Sequence, residues 1–395
     1  MPKNNEIAVL DIGSEKIRAA VAEKNNRSNI FVRGVGEAEY SGFYNGEWLD
    51  PSEIRQAVVS AVNRAEASSG RTIKKIFIGV PSEFSYSVCK EPALYFGKQK
   101  KITNDEIALL FKKGDRFQDD DLFETVNISP VYFLLTDNKR IIEPRGLMSE
   151  QLRALVSYVR CLRSFIEQFE AIFSALDIET EFVSSVWAEI MYLFEPEQRD
   201  HYILFADIGY ITSSLAILRG DGILHLASFS LGGGNVTADI SEVFSLPFGN
   251  AEKLKSGVDL TRSYDTGINV ADNIPLKALN DIVSARLEDF ADIINACIKK
   301  STYDCPSHIS LFLTGGGLSY IKGVKEFLSE LTDRNIEIIA PNVPNFDKPH
   351  FSSLFGLINI AGGNTPDEND KDSGVSKKGF LNKIFKKRLE ANNDD

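Results

Sequence analysis

Cysteine is scarce and scattered. Cys89, Cys161, Cys297 and Cys305 are the four in 395 residues, and no two form a C-x-x-C pair. That spacing argues against a disulfide framework or a cysteine metal site and fits reduced thiols in a cytoplasmic protein. Basic residues are in deficit, 44 against 56 acidic ones, and the net charge of −12 argues against a nucleic-acid surface over most of the length. No apolar run is long enough to span a bilayer, and the amino terminus lacks the apolar core of a signal peptide. Hydrophobic residues still make up 43% and charged ones 25%, which is the balance of a soluble globular protein with room for two or three domains.

Residues 7–22, IAVLDIGSEKIRAAVA, organise what is there. An apolar run ends at Asp11, a turn passes through Gly13 and Ser14, and a second apolar stretch follows, so a strand, a sharp hairpin and another strand are expected. Gly13 permits the bend and would let backbone N–H groups face an anion. Asp11 suits a divalent cation reached through water, and Lys16 falls beside such an anion. Taken alone, an ordinary hairpin with a turn aspartate is the better reading. The pattern returns, however, at residues 202–218, where Asp207-Ile208-Gly209 stands at the same point of a second strand–turn–strand unit. Such a repeat predicts two related halves around a shared cleft. At residues 311–318, LFLTGGGL, an apolar strand runs into Gly315, Gly316 and Gly317 and then a predicted helix, an arrangement that receives nucleotides.

Between these landmarks the chain reads as α/β. A helix is predicted over 52–69 with Ser52 as its cap, a buried strand over 75–80, and a helix over 164–176. Residues 82–163 have short alternating runs and one polar helix opening at Thr103, the texture of a small α+β insertion. In the second half a helix is predicted over 236–244 after Gly232-Gly233-Gly234, and another over 320–331.

Residues 362–378, GGNTPDENDKDSGVSKK, have the composition of a flexible linker. Over 379–390 a helical period puts Phe380, Leu381, Ile384, Phe385 and Leu389 on one side and Lys383, Lys386 and Lys387 on the other. Such a segment suits the surface of an anionic membrane; a helix docked on the body or a disordered tail are the alternatives.

These segments, in this order, resemble the actin/Hsp70/sugar-kinase superfamily, and across nearly the whole chain they are similar to the FtsA family of bacterial cell-division proteins. DIGSEK at 11–16, LDPSEIRQAVVSAVNRAEASSG at 49–70 followed by IFIGV, EPRGLM at 143–148, GGGNVTADI at 232–240 with AEKLK at 251–255, LTGGG at 313–317 and the basic amphipathic terminus carry the resemblance. It implies an actin-like fold of two halves around a nucleotide cleft. The first half is 1–82 with 164–200, a 1C-type insertion spans 83–163, and the second half is 201–233 with 306–361. A 2B-type unit spans 234–305, followed by the linker and a membrane-targeting helix at 379–390. It also implies ATP with Mg2+. Asp11, Gly13, Ser14 and Lys16 would face the phosphates, and Gly315, Gly316 and Gly317 the α-phosphate and adenosine. Glu252 and Lys255 would face the ribose and purine, with Asp207, Gly209, Thr212 and Gly233 completing the site. The implied partners are further copies of the chain in filaments, the FtsZ C-terminal peptide, other division proteins and an anionic membrane surface, at the cytoplasmic face of the division site; nucleic acid is not among them.

The second phosphate loop departs from the family pattern DIGGGTTD, with Tyr210, Ile211 and Ser214 in place of two glycines and an aspartate. Cβ atoms there hinder close backbone approach to a terminal phosphate, so hydrolysis is expected to be weak or absent. Two other readings stand beside this one. A small-molecule kinase of the superfamily needs a catalytic carboxylate facing its substrate, for which the sequence offers no clear candidate. A pilus-type cytoplasmic scaffold would do without the terminal helix.

Overall fold

The computed structural model describes residues 6–25, 30–262, 267–271 and 274–363. Gly362 and Gly363, read as the start of the linker, instead end the helix Ser352–Gly363. The rest of the linker and the segment carrying Phe380, Leu381, Lys383, Ile384, Phe385, Lys386, Lys387 and Leu389 lie outside the described residues.

The strand Glu6–Ile12 turns into Lys16–Lys24, antiparallel with Ile12 opposite Ile17, and Ile30–Glu39 extends the same edge. On the other side Lys75–Val80 and then Glu179–Ser184 join in parallel. The second sheet repeats this plan. Ile203–Ile208, Ser213–Arg219 and Gly222–Phe229 form the antiparallel part, Leu311–Thr314 adds in parallel to the first of them, and Ile336–Ile338 adds in parallel to Leu311–Thr314. Both sheets therefore have one topology, and both Asp-Ile-Gly turns sit at the end of the same strand. The two-half architecture expected from the repeat is the one the chain adopts.

Two helices fill the space between the sheets, Ser185–Leu193 and Ser352–Gly363. Trp187, Ile190, Leu354 and Leu357 are buried there against Val9 and Phe77 of the first sheet and Phe205 and Ala216 of the second. The helices cross backbone to backbone at Gly356, where a Cβ would lie 2.6 Å from the Ala188 carbonyl carbon. The outer face of the first sheet is covered by Pro51–Ser69 and Arg163–Ser174, that of the second by Gly233–Val243, Leu276–Lys300 and Val324–Thr332. A third, antiparallel sheet is built around Phe123–Leu134 and the long strand Met148–Leu162. Ser85–Lys90 and Ala93–Lys101 pair along the other edge of Met148–Leu162, and the helix Asn104–Gly114 closes a separate apolar core. Thr103 caps that helix and Glu106 completes its capping box.

Three expectations are corrected. The cap of Pro51–Ser69 is Asp50, not Ser52: its carboxylate accepts from the Ser52 N–H at 2.9 Å, and Pro51 occupies the first turn, where no N–H is needed. The helix expected over 236–244 begins three residues earlier, at Gly233. The helix expected over 320–331 starts only at Val324, because buried Leu318 and Ile321 anchor two turns first and Gly323, at φ +83°, reverses the chain.

Candidate functional site

The two Asp-Ile-Gly turns face each other across a cleft of about 160 Å³ between the halves. They have the same internal bond: Gly13 N–H donates to the Lys16 carbonyl at 3.1 Å, and Gly209 N–H to the Thr212 carbonyl at 3.1 Å. A Cβ at Gly209 would lie 2.5 Å from that carbonyl, so the turn needs glycine. Ser14 joins the loops. Its Oγ accepts from the Ile211 N–H at 3.0 Å and the Thr212 N–H at 3.4 Å. Asp11, Gly13, Ser14, Lys16, Asp207, Gly209, Thr212, Gly315 and Gly316 all line this cleft.

Carboxylates gather at its floor. Asp11 is buried, accepts from the Ser353 hydroxyl at 2.6 Å and lies 3.8 Å from Arg18, yet burial outweighs the guanidinium and pushes its pKa up. Burial and the neighbouring Asp11 lift Asp207 to about 7. Glu189 completes the group. It is fully buried on Ser185–Leu193, neither carboxylate oxygen has a hydrogen-bond partner, and burial with Asp207 and Asp11 nearby holds it well above the usual carboxylate range. Sequence reading missed Glu189, because only packing of that helix between the sheets brings it beside the two aspartates. Ser185 and Ser82, whose buried hydroxyls also lack partners, line the same floor. Buried Asp11 and Glu189 and half-buried Asp207, gathered on the cleft floor, fit a divalent cation held through its water shell. Among the described residues no three such side chains are arranged to hold a metal ion directly.

Gly315 is confined by this floor. It has φ +89°, and a Cβ would meet Asp207 Oδ1 at 2.2 Å. Arg18, another residue the sequence reading passed over, reaches into the cleft on a strand neighbouring Glu37, to which its Nε donates at 2.8 Å. His350 lines the wall beside Gly316. Burial, with Arg18 and Lys348 nearby, lowers its pKa to about 4.

Gly233, Glu252, Lys255 and Gly317 lie in an adjoining cluster and are not part of the cleft lining. Gly317 N–H donates to the Ile208 carbonyl at 2.8 Å and Gly233 N–H to the Gly209 carbonyl at 2.9 Å, so the glycine segments are stitched together. Lys255 is buried, and its ammonium donates to the Gly233 carbonyl at 2.9 Å, Thr237 Oγ1 at 2.8 Å and Glu252 Oε2 at 2.9 Å. Three protons meet three acceptors within the protein. Tyr210 lies over this group, with its hydroxyl 3.5 Å from Glu252 and its ring 5.6 Å from the Lys255 nitrogen.

The model of the family described as cell division protein FtsA matches residues 204–356, which run from the first strand of the second sheet into the helix Ser352–Gly363. The cell division protein FtsA of Enterococcus hirae is 24% identical over 375 residues, covering 91% of this chain and 84% of the relative. That of Streptococcus pneumoniae serotype 2 is 24% identical over 376 residues, covering 89% and 79%. Among solved structures, a PilM–PilN type IV pilus biogenesis complex aligns with a TM-score of 0.62 at 15% identity, covering 90% of this chain and 98% of the other. MreB5 of Spiroplasma citri bound to AMPPNP aligns with a TM-score of 0.53 at 11% identity, covering 100% and 99%. At these identities the structural matches establish the actin-like fold alone.

Proposed function

From its kinship with the FtsA cell-division proteins, we propose that this chain is an actin-like division protein that binds ATP with Mg2+ between its halves. It polymerises, and it tethers the FtsZ ring to the cytoplasmic face of the membrane at the division site. The observation that carries the nucleotide part is the pair of matched turns, Gly13–Lys16 and Gly209–Thr212, facing each other above Asp11 and Asp207. A MreB relative of this fold has been captured with AMPPNP, which supports the same use of the cleft here.

In this reading the Gly13 and Gly209 bonds fix the shape of the two turns. The phosphates enter between them and displace Ser14 Oγ from the Ile211 and Thr212 N–H groups, and Lys16 adds positive charge at the mouth. Asp11 and Asp207 hold the water shell of the cation, which when bound neutralises phosphate charge. Gly315 and Gly316 line the cleft on the side that would take the α-phosphate and adenosine, and Gly317 ties that turn to Ile208. Glu252 receives the ribose hydroxyls through its oxygen not engaged by Lys255, and Lys255 itself keeps Glu252 and Gly233 in place. Glu189, held in its protonated form by burial and its acidic neighbours, can donate a hydrogen bond to the water shell of the cation. Tyr210 and Ile211 hold the second loop away from a terminal phosphate, so turnover is slow.

The remaining functions rest on the kinship and on residues 379–390, whose apolar face of Phe380, Leu381, Ile384, Phe385 and Leu389 and basic face of Lys383, Lys386 and Lys387 suit an anionic bilayer. Co-sedimentation with anionic vesicles, with and without residues 379–395, tests the tether. Loss of sedimentation on truncation supports it, and undiminished sedimentation favours the pilus-type scaffold instead.

A further inference from the structure

Asn45 and Gly46 form a tight turn, with φ of +51° and +74°, that joins Phe43–Tyr44 to Glu47–Trp48. The hairpin is fixed to the first half. Trp48 stacks on Phe84 at 4.7 Å and donates from Nε1 to Gln168 at 2.9 Å, and Phe43 is buried edge-on to Phe84 at 5.1 Å. Its tip crosses to the second half. The Asn45 N–H donates to Ser230 Oγ at 3.1 Å, and the Ser230 hydroxyl lies 3.0 Å from Asn45 Oδ1 and 3.2 Å from Glu83 Oε1. The other Glu83 oxygen accepts from the Gly46 N–H at 2.7 Å, which holds the carboxylate in position.

Ser230 is connected in turn to the second phosphate loop. Its neighbour Leu231 accepts a 2.6 Å bond from Ser213, and Gly232 is packed so tightly on Tyr210 that a Cβ would lie 2.3 Å from the Tyr210 carbonyl oxygen. Movement of that loop therefore carries Ser230 with it.

We propose that the Phe43–Trp48 hairpin and Glu83 form a latch at the cleft mouth with Ser230 as its catch, and that opening this latch sets how fast nucleotide leaves. The inference rests on the nucleotide reading of the cleft. Asn45 of the first half and Glu83, where the chain enters the insertion, grip one second-half hydroxyl, so this edge of the cleft opens only when both contacts break. The Ser14 contacts with Ile211 and Thr212 lie deeper along the same path.

The test uses the full chain and two variants, Ser230→Ala and the near-isosteric Glu83→Gln. Hydrogen exchange read by mass spectrometry on peptides covering 43–48 and 209–214 reports opening without ligand. Release of a fluorescent ATP analogue with Mg2+ reports its consequence. Both variants are expected to exchange faster in both peptides and to release the analogue about tenfold faster. Exchange at 209–214 that stays at the unaltered rate in both variants overturns the latch, since a merely local loss would be confined to 43–48. If the unaltered chain binds no analogue, the nucleotide reading fails, and the exchange at 209–214 alone decides for or against the latch.

Discussion

Ser14 Oγ accepts the Ile211 N–H across the cleft at 3.0 Å. A side chain of the first loop thus engages backbone groups of the second loop that would otherwise be open to a phosphate. The two halves are joined at this point by a contact that nucleotide must rearrange. Ser14→Ala removes it, and the nucleotide-free chain is expected to lose about 1 kcal/mol of stability, read from urea unfolding. An unchanged midpoint would mean that the contact holds nothing together.

Gly315→Ala tests the floor of the site. The added methyl collides with Asp207 Oδ1 at 2.2 Å and is strained by the positive φ. A loss of roughly 1–3 kcal/mol is expected, together with loss of nucleotide affinity. Full stability in this variant would show that Asp207 can swing clear of the glycine.

The buried acids make stability depend on pH. Asp207 rises in the folded state from the ordinary 3.8 to about 7, so between those values the folded chain holds a proton that the unfolded chain has released. Its contribution is complete below the unfolded value and is lost as pH rises through about 7. The nucleotide-free protein is therefore expected to melt lower at pH 8 than at pH 5.5, with a slope of at most about 1.4 kcal/mol per pH unit from this group. Asp207→Asn should flatten the dependence. Glu189, raised for the same cause, acts in the same direction. Magnesium, which prefers the ionised carboxylates, should bind better at the higher pH.

Phosphate release from ATP is expected below about 1 s⁻¹, the lower end of the common enzyme range. Tyr210 and Ile211 occupy the second loop where the family pattern has glycines. Brisk magnesium-dependent release would mean that these side chains leave the loop free to reach the phosphate, and would move the small-molecule kinase reading forward.

The parts of the fold legible in the sequence were those set by neighbours along the chain. The paired turns at Asp11–Gly13 and Asp207–Gly209 announced the repeated sheets, since an apolar strand, a glycine bend and a returning strand are local features. The Asn45-Gly46 hairpin was equally local and went unread. Glu189 could not have been found that way. Its partners lie at positions 11 and 207, and its burial depends on two helices enclosed between the sheets. Lys255 shows the converse limit. Its place after Gly233 was foreseeable, but its enclosure by Gly233, Thr237 and Glu252 is a fact of packing.

Calorimetric titration of the full chain with ATP and Mg2+, beside Gly316→Asp, tests the central claim most directly. A side chain at Gly316 presses on His350, whose Cβ would lie 3.0 Å away, and its charge joins Asp11 and Asp207 in the cleft. Saturable binding by the unaltered chain and none by the variant is the predicted result. No binding by the unaltered chain, or equal binding by both, would contradict a nucleotide held between the two halves.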